Sequence, residues 1–319
     1  ASTKPVTALA TGGGNVESPV ATGRYTITSR GGTGVSLGGG FTAGAMVLNG
    51  SAALNGTKLR LTAGTANASG AAWFSSPLNI QKFSTNFTFQ TAPGSNPVAD
   101  GFTFAIQGNS TSAIGPTGGG LGYGPDNPNT ATAVPNPLRN SVAIKFDLYD
   151  NIGEGVNSTG LYTNGASPTT PFVDLTGSGI DLHSGHACNV QITYDGTKLI
   201  LTITDPTVNA AFTQTWPVNI PAVVGGNTAY VGFSAGTGRS NAIQDITSWT
   251  FSSTAASAAA TPVFDPVAGT YTGTTSVTIS DAPPGANIFH TLDATSPPPP
   301  LTGSPDPPSG QLTVSATQT

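Results

Sequence analysis

The sequence predicts an all-β protein, and three observations carry the prediction. Gly 42 and Pro 26 are spread through 319 residues, so turn-formers recur at short intervals. Between them apolar residues alternate with polar ones, as at Phe83, Phe87 and Phe89 within Phe83-Ser84-Thr85-Asn86-Phe87-Thr88-Phe89, the two-residue period of a half-buried strand. No stretch carries the 3.6-residue period of an amphipathic helix. Apolar residues make up 37% of the chain, enough to build the core of one large β domain and a smaller one.

Charge narrows the function. Only 8% of residues are charged and the net charge is -5. No Lys/Arg cluster could neutralise phosphates, so neither nucleic acid nor membrane is expected as a partner. No apolar run approaches the ~18 residues of a membrane span. A single cysteine, Cys188, excludes an internal disulfide. Low charge and Ser, Thr and Gly richness suit a secreted, extracellular or cell-surface chain, expected to be a mature form that has lost its export signal.

In order along the chain, residues 1–37 hold turn-formers (Gly12-Gly13-Gly14, Gly31-Gly32) around one strand-like run, Arg24-Tyr25-Thr26-Ile27-Thr28. They form either a flexible lead or a strand added to a sheet. From Phe41 strands recur at spacings of about a dozen residues. Trp73, Phe102, Phe104, Phe233, Trp249 and Phe251 read as core packing between two sheets, because alternate strand positions are where inward aromatics belong. Val142-Ala143-Ile144-Lys145-Phe146-Asp147-Leu148-Tyr149-Asp150-Asn151 delivers Asp147, Tyr149 and Asn151 at period two, then breaks into Ile152-Gly153-Glu154-Gly155. Hard oxygen ligands at a strand end suit a calcium ion or a sugar hydroxyl. Residues 254–261, rich in alanine, read as a linker, and 262–319 as a second, smaller β module.

The order of these blocks resembles the legume (L-type) lectin family. The resemblance runs from Phe41 to Ser253 and rests on six blocks. These are Ala72-Trp73-Phe74-Ser75-Ser76-Pro77, Phe83 to Phe89, Ala99-Asp100-Gly101-Phe102-Thr103-Phe104, Gly118-Gly119-Gly120-Leu121-Gly122, Val142 to Asn151, and Val231 to Ala235 with Asp245 to Phe251. It implies a jelly-roll (concanavalin-like) two-sheet sandwich for 38–253 and a non-enzymatic, carbohydrate-binding function, with glycans as partners. It also implies a sugar site. Asp100, after a cis peptide from Ala99, would accept sugar hydroxyls; Gly119 or Gly120 would donate a backbone amide; Asn151 would complete the fan; and Tyr149 would stack on the sugar's apolar face.

The same resemblance implies calcium at Asp147, the Tyr149 carbonyl and Asn151, but two departures stand out. Lys145 occupies the place of the family's metal-binding glutamate, and no histidine appears in Thr159-Gly160-Leu161-Tyr162. No transition metal is therefore expected. Lys145 and Asp147, two apart on a strand, share a face and can pair. The family's second calcium aspartate meets Val156, leaving Glu154 or Asp150 as substitutes and a weakened calcium site.

Beyond the linker, Thr261 to Tyr271, Val277-Thr278-Ile279 and Pro284 to Asp293 resemble the chitobiase/β-hexosaminidase C-terminal module, a small immunoglobulin-like sandwich. The resemblance stops short of the family's last strands, and an incomplete sandwich leaves an unpaired edge. A second function therefore stands beside an adhesive lectin: the structural subunit of an extracellular filament or surface layer. Such subunits would self-associate by strand complementation, with Arg24 to Thr28 as the donor strand. A glycoside hydrolase needs two carboxylates about 5 to 9 Å apart, and Glu17 and Glu154 are the only glutamates; no enzyme is expected. His183, His186 and Cys188 read as a turn entering a strand rather than as a metal or nucleophile site. Pro297 to Pro300 reads as a stiff polyproline II spacer.

Overall fold

A computed structural model describes residues 3–8, 21–26, 34–128, 136–253, 263–265, 275–280 and 310–314. Ser29–Ala256 form one compact unit, and Ala1–Thr28 with Ser257–Thr319 form another.

The larger unit contains two eight-stranded antiparallel sheets. The front sheet runs in the order Val173–Asp174, Ser158–Thr163, Ser141–Asp147, Gly101–Gln107, Thr228–Gly236, Ser69–Phe74, Met46–Gly50, with Leu78–Asn79 also paired to Thr228–Gly236. The back sheet runs Ala210–Pro217, Lys198–Asp205, Cys188–Tyr194, Phe83–Pro93, Ala242–Ser253, Lys58–Ala63, Ala53–Asn55. Gly34–Leu37 adds to it, pairing with Ser252 to Trp249, so the sheet takes in residues ahead of position 38.

The facing sides meet in one apolar core. Phe87 of the back sheet lies against Phe104, Phe146 and Phe233 of the front sheet, with ring centroids 5.9, 5.7 and 5.1 Å away. Phe102 and Phe146, opposite each other in register, stack at 4.7 Å. Each such side chain, once buried, contributes about 1.5–3 kcal/mol relative to exposure. Phe102, Phe104, Phe233, Trp249 and Phe251 all belong to this core.

The two sheets differ in their outer faces. Phe83–Pro93 and Lys198–Asp205 alternate buried and accessible positions, because the back sheet turns polar side chains to water. Gly101–Gln107 and Ser141–Asp147 are buried at every position, because loops cover the front sheet's outer face. Beneath those loops lies a second apolar cluster of Ala71, Trp73, Ala105, Tyr123, Leu138, Ala143 and Tyr162. Trp73 is therefore corrected from the inter-sheet core to this outer cluster: it points the other way from Ala72, and its indole N–H donates to the Ala113 carbonyl at 2.7 Å.

In the smaller unit, Thr3–Ala8 pairs antiparallel with Ala21–Thr26, and Val263–Asp265, Thr275–Ser280 and Gly310–Val314 form a three-stranded antiparallel sheet. The strand expected as a donor thus has a partner within its own chain along one edge. The linker at 254–261, the run 284–293 and the proline segment 297–300 lie outside the described residues. Among the described residues Ile220–Val224 is the single α-helix, and no helix is long and apolar enough to cross a membrane.

Candidate functional site

Three strand ends converge at one corner of the front sheet, where Gly101 pairs with both Asp147 and Gly236. Asp100 sits one residue outside that junction, after a cis peptide from Ala99. Its carbonyl accepts the Leu148 N–H at 2.7 Å. The residue is only 3% exposed, yet its Oδ2 has no hydrogen-bond partner. Burial pushes the carboxyl up to about 6, against the downward pull of the Gly238 backbone and the Asn151 side chain; the charge of Asp126 adds to the rise. Neither Gly238 nor Asn151 completes a hydrogen bond to Oδ2.

The glycine block forms a single 3-10 turn at Gly118–Gly120. It is tied down from both sides: Gly118 N–H donates to Thr237 O at 3.0 Å, and the Ser234 hydroxyl donates to Leu121 O at 2.9 Å. A Cβ on Gly119 would lie 2.4 Å from Asn151 Oδ1, whereas on Gly120 it would meet nothing closer than Pro116 at 3.5 Å. Gly119 is thus the glycine that lets the turn close on the Asn151 amide. Asn151 Oδ1 is itself buried without a partner. Asp100, Gly119 and Asn151 are brought together, with Gly120 next in the turn and Tyr149 half-buried on the strand extension between Leu148 and Asn151. Gly238, whose Cβ would lie 3.4 Å from Asp100 Oδ2, is the neighbour that sequence reasoning missed.

The expected calcium set tells a different story. Lys145 is wholly buried, and its Nζ lies 2.7 Å from Asp147 Oδ2 and 3.2 Å from Thr169 O, with the Tyr162 ring centroid at 5.8 Å. Asp147 Oδ1 accepts the Tyr149 N–H at 3.3 Å. Glu154, also wholly buried, accepts the Asn151 N–H on Oε1 at 3.1 Å and the Ile152 N–H on Oε2 at 2.8 Å. All four carboxylate oxygens are committed within the chain, and a divalent cation at Asp147 would meet an ammonium. As placed, Asp147, Tyr149, Asn151 and Glu154 do not fit a metal ion. Asp150 is exposed and accepts the Gly153 N–H, and Val156 is 56% exposed. Among the described residues no group of three His, Cys, Asp or Glu side chains could hold a metal.

The remaining candidates resolve into structure. His183 Nε2 lies 2.9 Å from Leu148 O, and His186 Nδ1 lies 2.7 Å from Asp205 Oδ2. Cys188 is buried in its strand, and burial pushes its thiol up to about 12, away from nucleophilic chemistry. A broad depression of about 450 Å³ on the outer face of the back sheet is lined by Asn86, Thr88, Asn189, Gln191, Thr202 and Thr204. There the polar groups bond one another, as in Thr88 to Asn189 at 2.9 Å and Gln191 to Asn86 at 3.3 Å. Among the described residues five buried side-chain atoms lack a partner, on Asp100, Asn151, Ser158, Asn241 and Gln244; at the corner Asp100 Oδ2 and Asn151 Oδ1 occur together, which outweighs size as the sign of a ligand site.

A sandwich of this kind, closed at one corner by a cis aspartyl peptide, a glycine turn and an asparagine, is that of a lectin. The chain belongs to the legume lectin family, whose domain model, "Legume lectin domain", matches residues 39–263. Favin of Vicia faba is 31% identical over 211 residues, covering 61% of this chain and 83% of favin. A lectin of Pisum sativum is 30% identical over 212 residues, covering 61% of this chain and 74% of its own. The solved lectin from Bauhinia forficata in complex with GalNAc superposes with a TM-score of 0.59 at 25% identity, covering 70% of this chain and 98% of that one.

Proposed function

We propose that the corner of Asp100, Gly119, Asn151 and Gly238 binds a neutral saccharide, and that the protein is a non-enzymatic, adhesive lectin acting outside the cell. One observation carries the reading: Asp100 Oδ2 and Asn151 Oδ1 are buried acceptors without partners on the same corner. Leaving such a group unsatisfied costs about 1–3 kcal/mol, and sugar hydroxyls are donors that would relieve it. A carboxylate can accept two hydroxyls, the turn at Gly119 and Gly120 offers backbone amides, and Tyr149 offers a ring to the sugar's apolar face. Family membership supports the same reading, as does the Bauhinia forficata lectin solved with GalNAc. The sparse charge supports action outside the cell.

A glycan array probed with the full chain, alongside Asp100→Ala and Asn151→Ala, tests the proposal. Binding by the wild type and its loss in both variants is the expected result. Binding that survives both substitutions would place the sugar elsewhere and sink it.

A further inference from the structure

We propose that Lys145 is a built-in cation that holds the sugar-facing corner in shape without a divalent metal. The inference rests on the saccharide reading for its purpose and on independent geometry for its mechanism. Lys145 is the one wholly buried Lys or Arg among the described residues. An ammonium taken from water into such a place is costly unless it is closely paired, and the chain supplies Asp147 Oδ2 at 2.7 Å, Thr169 O at 3.2 Å and the Tyr162 ring. A distance of 2.7 Å is that of a charge-assisted hydrogen bond.

The bond is positioned to shape the site. Asp147, held by Lys145 through Oδ2, takes the Tyr149 N–H through Oδ1. Glu154 takes the amides of Asn151 and Ile152, and its backbone lies only three residues from Asn151. His183 meets the Leu148 carbonyl, and the Leu148 N–H is bonded to Asp100 O. The turn from Asp147 to Glu154 is thereby fixed by three carboxylates (Asp147, Asp150 and Glu154), one ammonium and one imidazole. An inserted ion would have to displace the Lys145 Nζ or strip amides from Asp147 and Glu154. Lys145 is a positioning residue: it is wholly buried beneath the corner and acts through Asp147 on the Tyr149 backbone.

The full chain provides the test through readouts that need no sugar. Thermal unfolding and amide hydrogen exchange across 147–157 are measured in EDTA, in added Ca2+ and in added Mn2+, with calorimetric titration of each metal. No change in unfolding temperature or exchange and no heat of metal binding are expected. Lys145→Met should speed exchange across 147–157 and lower the unfolding temperature, while Lys145→Arg should keep most of the protection. Asp100→Ala should leave that protection intact while losing glycan binding. A wild-type chain protected by Ca2+ or Mn2+, or a folded Lys145→Met chain with undiminished protection, would overturn the proposal. Should Lys145→Met fail to fold, the wild-type metal arms and Lys145→Arg still decide it. Protection indifferent to metal in a chain that binds no glycan would refute the saccharide reading and leave the role of Lys145 standing.

Discussion

Asp100 and Asp147 are the same residue type, almost equally buried at 3% and 2%, and joined through adjacent backbone bonds. Their commitments are opposite. Asp147 has both oxygens engaged, one by Lys145 and one by the Tyr149 amide, while Asp100 keeps Oδ2 unpaired. Burial raises both, Asp147 to about 7 and Asp100 to about 6, and only Asp147 has an ammonium at 2.7 Å pulling it back. The lesson is that burial alone does not mark a binding group. A buried carboxylate whose partners come from its own chain is structure, and one left without a partner is where a ligand's donor would fit.

The largest test of this contrast removes the partner of the satisfied carboxylate. Lys145→Met should cost about 3–5 kcal/mol, because breaking a buried pair strands the other charge; urea denaturation measures it. Asp100 has no ammonium to lose, and pH tests it instead. Its folded pKa of about 6 lies above the ordinary 3.8, so the folded state holds the proton more tightly than the unfolded chain. Its stabilising contribution is full below the unfolded value and is lost as pH rises through about 6, a swing of about 3 kcal/mol. Unfolding curves between pH 4 and 8 should show a steeper loss of stability in the wild type than in Asp100→Asn, whose remaining slope comes from Asp147, raised to about 7. Saccharide affinity should run the other way, falling as pH drops through about 6 because the protonated acid loses acceptor strength.

A smaller effect separates the two glycines. Gly119→Ala should cost about 1–3 kcal/mol through overpacking and weaken glycan binding by pushing Asn151 aside, whereas Gly120→Ala should be tolerated in both measurements. Smallest is Ser234→Ala, which removes the hydroxyl that links Thr103 to Leu121 O beneath the turn. It should cost about 1 kcal/mol and shift affinity only slightly in titration calorimetry.

Much of this architecture is legible in the sequence itself. Alternation at Phe83, Phe87 and Phe89 reads directly as one buried and one wet face, because the back sheet has such faces. Trp73 reads wrongly as inter-sheet core because a two-residue period says that neighbours face opposite ways and not which way is inward; a second apolar layer makes both directions dry. Gly34–Leu37 is hidden among turn-forming glycines, since a strand that pairs along one edge needs little apolar pattern of its own. At the corner, Asp100, a glycine at 119 or 120, and Asn151 are legible from the order of the blocks, and the Lys145–Asp147 pair from their spacing on one strand; only the fit against Asn151 separates Gly119 from Gly120. Gly238 is not, because what it brings is a backbone amide and a lack of side chain. Glu154 reads as a metal ligand, although a carboxylate three residues after Asn151 can equally cap the loop's own amides.

The second apolar cluster has a wider consequence. Because Trp73, Tyr123 and Tyr162 pack the loop layer onto the outer face of the front sheet, that layer has an apolar cluster of its own, separate from the inter-sheet core. Substitutions that retune the loops can accumulate while the inter-sheet aromatics stay untouched. The molecule is therefore suited to diversification, with a durable frame carrying an exchangeable face.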